Sequence, residues 1–112
     1  MEYVLMIQYK RNEDKIIAGI KAYVDATYNA HYNGSNGRDV CDDWEDMGIA
    51  KEAYMSNIVK YVKRFGKKEG ENPKDIMKII HYCVFLLNEL DKEKDWDDKF
   101  MKDHEVTFNV ND

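Results

Sequence analysis

The sequence predicts a mainly α, compact helical domain: three main helices plus one short helix, with a short strand pair from the N- and C-termini. Three observations carry that expectation. Apolar residues recur at three and four over 12–30, 51–66 and 72–90, the spacing of helices with one buried face. Clusters of turn residues separate those stretches. The β-branched and aromatic runs that suit strands, "YVLMIQY" and "VTFNV", stand at the two ends.

Tyr3–Tyr9 reads as a strand that could pair with a closing strand over Val106–Val110, because terminal segments are best held by each other. The first main helix spans Asn12–Ala30. Its apolar line is Ile16, Ile17, Ile20, Tyr23, Val24 and Thr27, with Asn12 as N-cap and Glu13 and Asp14 on the positive end of the helix dipole. "HYNGSNGRD" (31–39) is a break with turn chemistry and no periodicity. The short helix covers Asp39–Gly48, with Gly48 in the closing position. The next main helix covers Lys51–Gly66, with Tyr54, Met55, Ile58, Val62 and Phe65 toward the core. The last covers Asn72–Leu90, capped by Asn72 with Pro73 at its first position; Ile76, Met77, Ile80, Cys83, Val84, Leu87 and Leu90 form its buried face. The mixed-charge stretch after it offers Trp96, Phe100 and Met101 as anchors.

At 112 residues, a single domain over 1–112 is the expectation. The net charge of −5 argues against general duplex-DNA binding, since the phosphate backbone repels such a surface. No apolar run approaches the roughly 18–20 residues of a membrane span, and the N-terminus has no basic stretch or small-residue cleavage site of a signal peptide. Cys41 and Cys83 form no CxxC pair and read as core thiols in a reducing cytosol. His31, His81 and His104 share no metal-ligand spacing, so neither a metal site nor a cofactor is expected. No GxxxxGK[ST] occurs, which excludes a P-loop.

Against that acidic background, the cations gather. Between Lys51 and Gly70 there are six Lys/Arg and two Glu. Lys60, Arg64 and Lys67 stand at i, i+4 and i+7, one face of a helix, with Asn57 near the same edge. Fixed cations of this kind suit phosphate, and Arg grips phosphate oxygens in a bidentate way. A solvated basic face is the competing account. The preceding loop adds Arg38, exposed amides and the rings of His31 and Tyr32, which suit stacking on a base. The acidic helix pairs Asp42 with Asp46 and Asp39 with Asp43 at i and i+4; these are either a solvated face or a seat for hydrated Mg²⁺.

Quoted in order, His31-Tyr32 with Gly34, Asp39-Val40 with Trp44, Asn57, Lys60, Tyr61, Arg64, Lys67, Lys68, then Asp75, Lys78 and Tyr82 form a pattern. The pattern resembles a small phage-encoded domain family that includes a nucleotide kinase lacking the Walker loop. The resemblance covers about 31–90, with 1–30 and 91–112 as flanking additions, and the Lys-Tyr-x-x-Arg block is its specific part. It implies a phage origin, a mainly helical fold, oligomerisation and contact with nucleotide phosphates in the cytoplasm of the infected host cell. Lys60, Arg64 and Lys67 would then be the phosphate cations, and His31, Tyr32 and Asn57 the base and sugar contacts. The kinase of that family is longer, which puts phosphoryl transfer in doubt for this chain.

The function expected from these residues is nucleotide binding, as a sponge that sequesters a host immune signalling nucleotide, cyclic or linear. Two alternatives stand beside it. One is a nucleoside monophosphate kinase without a P-loop, which needs Mg²⁺. The other is a protein-interaction inhibitor of a host enzyme, its acidic segments imitating nucleic acid.

Overall fold

The protein is described from a computed structural model over residues 7–28 and 37–92. Four helices are present in that part: α1 Glu13–Thr27, α2 Val40–Asp46, α3 Ala50–Arg64 and α4 Pro73–Asp91. The expected mainly helical class holds, with one short helix and three longer ones. The described residues contain no strand. Residues 7–9 of the expected first strand carry no regular structure; Tyr3–Met6 and Val106–Val110 lie outside the described residues.

The backbone divides into two units, Met1–Asp39 and Val40–Asp112. In the first, α1 starts differently from expectation. Asn12 occupies the cap position in the left-handed region (φ 59°), a conformation Asn tolerates, and its side chain makes no cap hydrogen bond. The Glu13 carboxylate accepts from the Arg11 N–H instead (2.9 Å), and the Asn12 carbonyl accepts from the Ile16 N–H (2.9 Å). Ile20, Tyr23, Val24 and Thr27 are half-buried, while Ile16 and Ile17 are exposed.

In the second unit, α3 packs along α4, and α2 packs on α3. Gly48 closes α2 as expected. It takes a positive φ of 76°, donates to the Glu45 carbonyl, and lets Ile49 N–H reach back to Trp44 O at 3.0 Å. α4 begins as the sequence predicts: Asn72 is extended, its side-chain oxygen accepts from Lys74 N–H at 2.9 Å, and Pro73 fills the first helical position.

The core is aromatic. Tyr54 on α3 is 1% exposed and is the largest fully buried side chain among the described residues. Its ring lies 6.0 Å from Trp44, 6.2 Å from Tyr82 and 5.5 Å from Phe85, within the range of favourable ring pairs. Burial, then the neighbouring Cys41 thiol, pushes its phenol well above the usual tyrosine range. Lys92 joins the far ends of α2 and α4, with Nζ 3.0 Å from both Glu45 Oε2 and Glu89 Oε2. The hydrogen bond to Glu89 is the leading cause that holds its ammonium above the ordinary lysine value.

This packing corrects the expected faces. On α3, Tyr54 turns inward and Ile58 is half-buried, as is Phe65 just past its end, but Met55 and Val62 face solvent beside Val59. On α4, Asp75 and His81 are buried with Tyr82 and Phe85 half-buried; of the expected face Met77, Ile80 and Leu90 are half-buried, while Ile76, Val84 and Leu87 are exposed. The rings of Tyr54, Tyr82 and Phe85 need the facing surface, so α4 is rotated away from its most aliphatic line. Cys83 follows that line to the surface and is not a core thiol; Cys41 is half-buried.

Candidate functional site

The site forms where α3 ends and α4 begins. α3 finishes at Arg64 because Phe65 leaves the helix (ψ 127°) and Gly66 takes a positive φ of 84°. Gly66 N–H then donates to Gly70 O at 2.8 Å, closing a tight reversal, and Asn72 N–H donates to the same carbonyl at 2.9 Å. Lys63 and Arg64 lie in the last turn of α3, where cations complement the dipole. The expected three-cation face is therefore corrected: Lys60 and Arg64 stand one turn apart on α3, and Lys67 is carried, exposed, by the reversal.

Tyr61 is the centre of the cluster. Lys60 Nζ lies 4.6 Å from its ring centroid, Lys78 Nζ of α4 5.7 Å and the Arg64 guanidinium carbon 5.9 Å. Cations at these separations are attracted to the electron-rich ring, which lowers the cost of holding like charges together. Tyr82 of α4 lies nearly parallel to Tyr61, 6.3 Å between centroids and 17° between planes. Among the described residues, Lys60 and Lys78 have no carboxylate within ion-pair distance.

Arg64 is held differently. Its Nε is 3.8 Å from Asp75 Oδ1, and its Nη2 is 3.7 Å from Glu69 Oε2. Asp75 sits in the first turn of α4 with its side chain 6% exposed; the Arg64 side chain is 32% exposed. Neither Arg64 Nε nor Asp75 Oδ2 has a hydrogen-bond partner among the described residues, and both atoms are buried. Glu69 is tied back by Asn72, whose amide nitrogen donates to Oε1 at 3.1 Å. Further along α4, His81 packs on Phe85 with centroids 4.4 Å apart, and burial, then the Lys78 charge, lowers its pKa below the ordinary imidazole value.

The other expected contacts fare unevenly. Asn57 is half-buried, and its amide nitrogen donates to the Ala53 carbonyl one turn back at 2.9 Å, so part of its donor capacity stays inside α3. Arg38 is exposed on the stretch before α2, in the other unit. His31 and Tyr32 lie outside the described residues. No group of three or more His, Cys, Asp or Glu among the described residues is placed to hold a metal ion. None of the described helices is long and apolar enough to cross a membrane.

Four residues of the cluster were given no role by the sequence: Tyr61, Asp75 and Lys78 stood only in the matched pattern, and Glu69 was not singled out. The signal for two of them is a polar seam. Asp75, Lys78 and Tyr82 recur at three and four inside an otherwise apolar helix, which places them on one face.

The fold and cluster define a small helical domain with a cationic corner between two helices. A family model described as protein of unknown function (DUF3310) matches residues 26–84, just over half of the chain, and the chain belongs to that family. The match spans α2, α3 and α4 as far as Val84, so every residue around Tyr61 lies inside it. No curated protein and no solved structure matches the chain.

Proposed function

We propose that the protein is a phage nucleotide-binding protein that holds a nucleotide by its phosphate and sequesters a host immune signalling nucleotide in the cytoplasm of the infected cell. The observation that carries this reading is the gathering of Lys60, Arg64 and Lys78 round the Tyr61 ring, two of them without a carboxylate partner among the described residues. A phosphate supplies the missing counter-charge, and Arg64 offers a guanidinium whose Nε and Nη2 stand 3.8 and 3.7 Å from their carboxylate neighbours, beyond hydrogen-bonding distance. Lys67, on the adjoining reversal, adds a further cation, and Asn57 of α3 is the proposed base or sugar contact within the same unit. A homo-oligomer accords with the exposed line Met55, Val59 and Val62 on α3, which a second copy could cover.

Isothermal titration with adenosine 5′-monophosphate, ADP-ribose isomers and cyclic dinucleotides, without metal, tests the reading. The wild-type protein is expected to bind one of them and return it unchanged after heat denaturation, and Lys60→Ala with Lys78→Ala is expected to abolish binding. Absence of binding across the panel refutes it. Conversion of ATP plus a nucleoside monophosphate into diphosphates, dependent on Mg²⁺, replaces it with the kinase that the sequence resemblance suggests.

A further inference from the structure

Glu69 has a position that a phosphate site does not need. It rides on the reversal between α3 and α4, its side chain is 55% exposed, and it faces the one arginine of the cluster. We propose that Glu69 is an internal competitor for the anion: its carboxylate covers the open side of the Arg64 guanidinium in the free protein, and an incoming phosphate displaces it. The inference rests on the phosphate reading of this corner and adds how that site is controlled.

Arg64 has two carboxylate neighbours of opposite character. Asp75 is buried in the first turn of α4 and reaches Nε; Glu69 is exposed and reaches Nη2. Both separations, 3.7 and 3.8 Å, exceed the roughly 2.7–2.9 Å of a charge-assisted hydrogen bond. Asp75 is fixed by its helix and its burial, so it positions Arg64 from behind. Among the described residues, Glu69 is held by the Asn72 amide at 3.1 Å and rides on a reversal bounded by two glycines of positive φ, Gly66 and Gly70. The Cβ that either glycine lacks would meet nothing within 4 Å, so the reversal is not wedged against neighbouring atoms.

An exposed ion pair of this length is a weak contact, screened by salt and easily exchanged. A phosphate offers the same guanidinium several oxygens in bidentate geometry and meets Lys60 and Lys78 as well. Exchange of Glu69 for phosphate therefore keeps Arg64 paired throughout and makes the site respond to multiply charged anions over weak ones.

The test is affinity in a charge-matched pair of variants. Glu69→Gln keeps an amide oxygen for Asn72 and removes the competing charge. Glu52→Gln removes the same charge from the first turn of α3, about 18 Å from Arg64 along the helix axis. Titrations use inorganic phosphate, adenosine 5′-monophosphate and a cyclic dinucleotide, at low and at physiological salt. Glu69→Gln is expected to bind the anions about threefold tighter or more, with Glu52→Gln near wild type. A gain of affinity cannot come from damaged folding, which makes the expected result hard to imitate. Equal affinities in Glu69→Gln and Glu52→Gln, with wild-type binding intact, overturn the competitor and leave the phosphate site standing. Wild-type and Glu69→Gln proteins that both bind none of the probes overturn the phosphate site itself, and the competitor with it.

Discussion

Removing Arg64 is the natural way to test a phosphate site, and the structure predicts that the variant carries a stability cost of its own. Asp75 is buried, and its Oδ1 lies 3.8 Å from Arg64 Nε. Two unit charges at that distance attract by about 4 kcal/mol at an effective dielectric of 20. Solvent reaches about a third of the Arg64 side chain, so we take about 1–2 kcal/mol as the coupling expected in practice. Arg64→Ala leaves the Asp75 carboxylate buried without its cation and is expected to lose about 2 kcal/mol. Asp75→Asn removes the charge to be compensated, so Arg64→Ala in that background is expected to cost less by the coupling energy. Urea denaturation of the four proteins, followed by far-UV circular dichroism, closes the double-mutant cycle. A coupling within about 0.3 kcal/mol of zero would refute the argument that Asp75 and Arg64 act as a charge pair. Binding losses in Arg64→Ala therefore report a lost ligand contact only when the double variant with Asp75→Asn shows them too.

Other consequences concern the core and the buried imidazole of His81. Tyr54→Ala removes the only fully buried large side chain among the described residues and three ring contacts, and is expected to cost about 3–5 kcal/mol, read as a fall in melting midpoint of at least about 12 °C; a loss under about 1 kcal/mol would mean that the aromatic cluster is not the core. His81 has its pKa lowered by burial and by Lys78, so the unfolded chain binds its proton more readily than the folded one. Stability from this group is complete above the ordinary value of 6.5 and falls as pH drops from there through the lowered folded value. Wild-type stability is expected to decline over that window and His81→Gln to decline less, measured by urea denaturation at stepped pH; identical profiles would remove His81 as the cause.

What the sequence made legible follows from where local chemistry decides. Asn72-Pro73 opens α4 as read, because an acceptor side chain and a missing N–H act within one turn. Gly48 closes α2 for the same local reason. Asn12 defeated the same reasoning: its side chain stays out of the cap and Glu13 reaches back instead, a choice between two neighbouring acceptors that spacing does not rank. The end of α3 was placed two residues late, because Gly66 marks a break but Phe65 is where the chain leaves the helix. That difference moved Lys67 off the helical face. The buried face of α4 was misjudged because aliphatic content pointed to Ile76, Val84 and Leu87, whereas packing the rings of Tyr54, Tyr82 and Phe85 turned the helix. The same rotation carried Asp75 and Lys78 into the cluster. Lys60 and Arg64 were legible because both lie inside regular helix, where periodicity fixes direction.

The glycine-bounded reversal separates two properties that a continuous helix would have tied together. Lengthening or shortening the stretch from Gly66 to Gly70, or exchanging its lysines, alters how many positive charges the corner presents without repacking a single core ring. A change in this short connection would thus alter the charge of the corner while leaving the helical scaffold as it is.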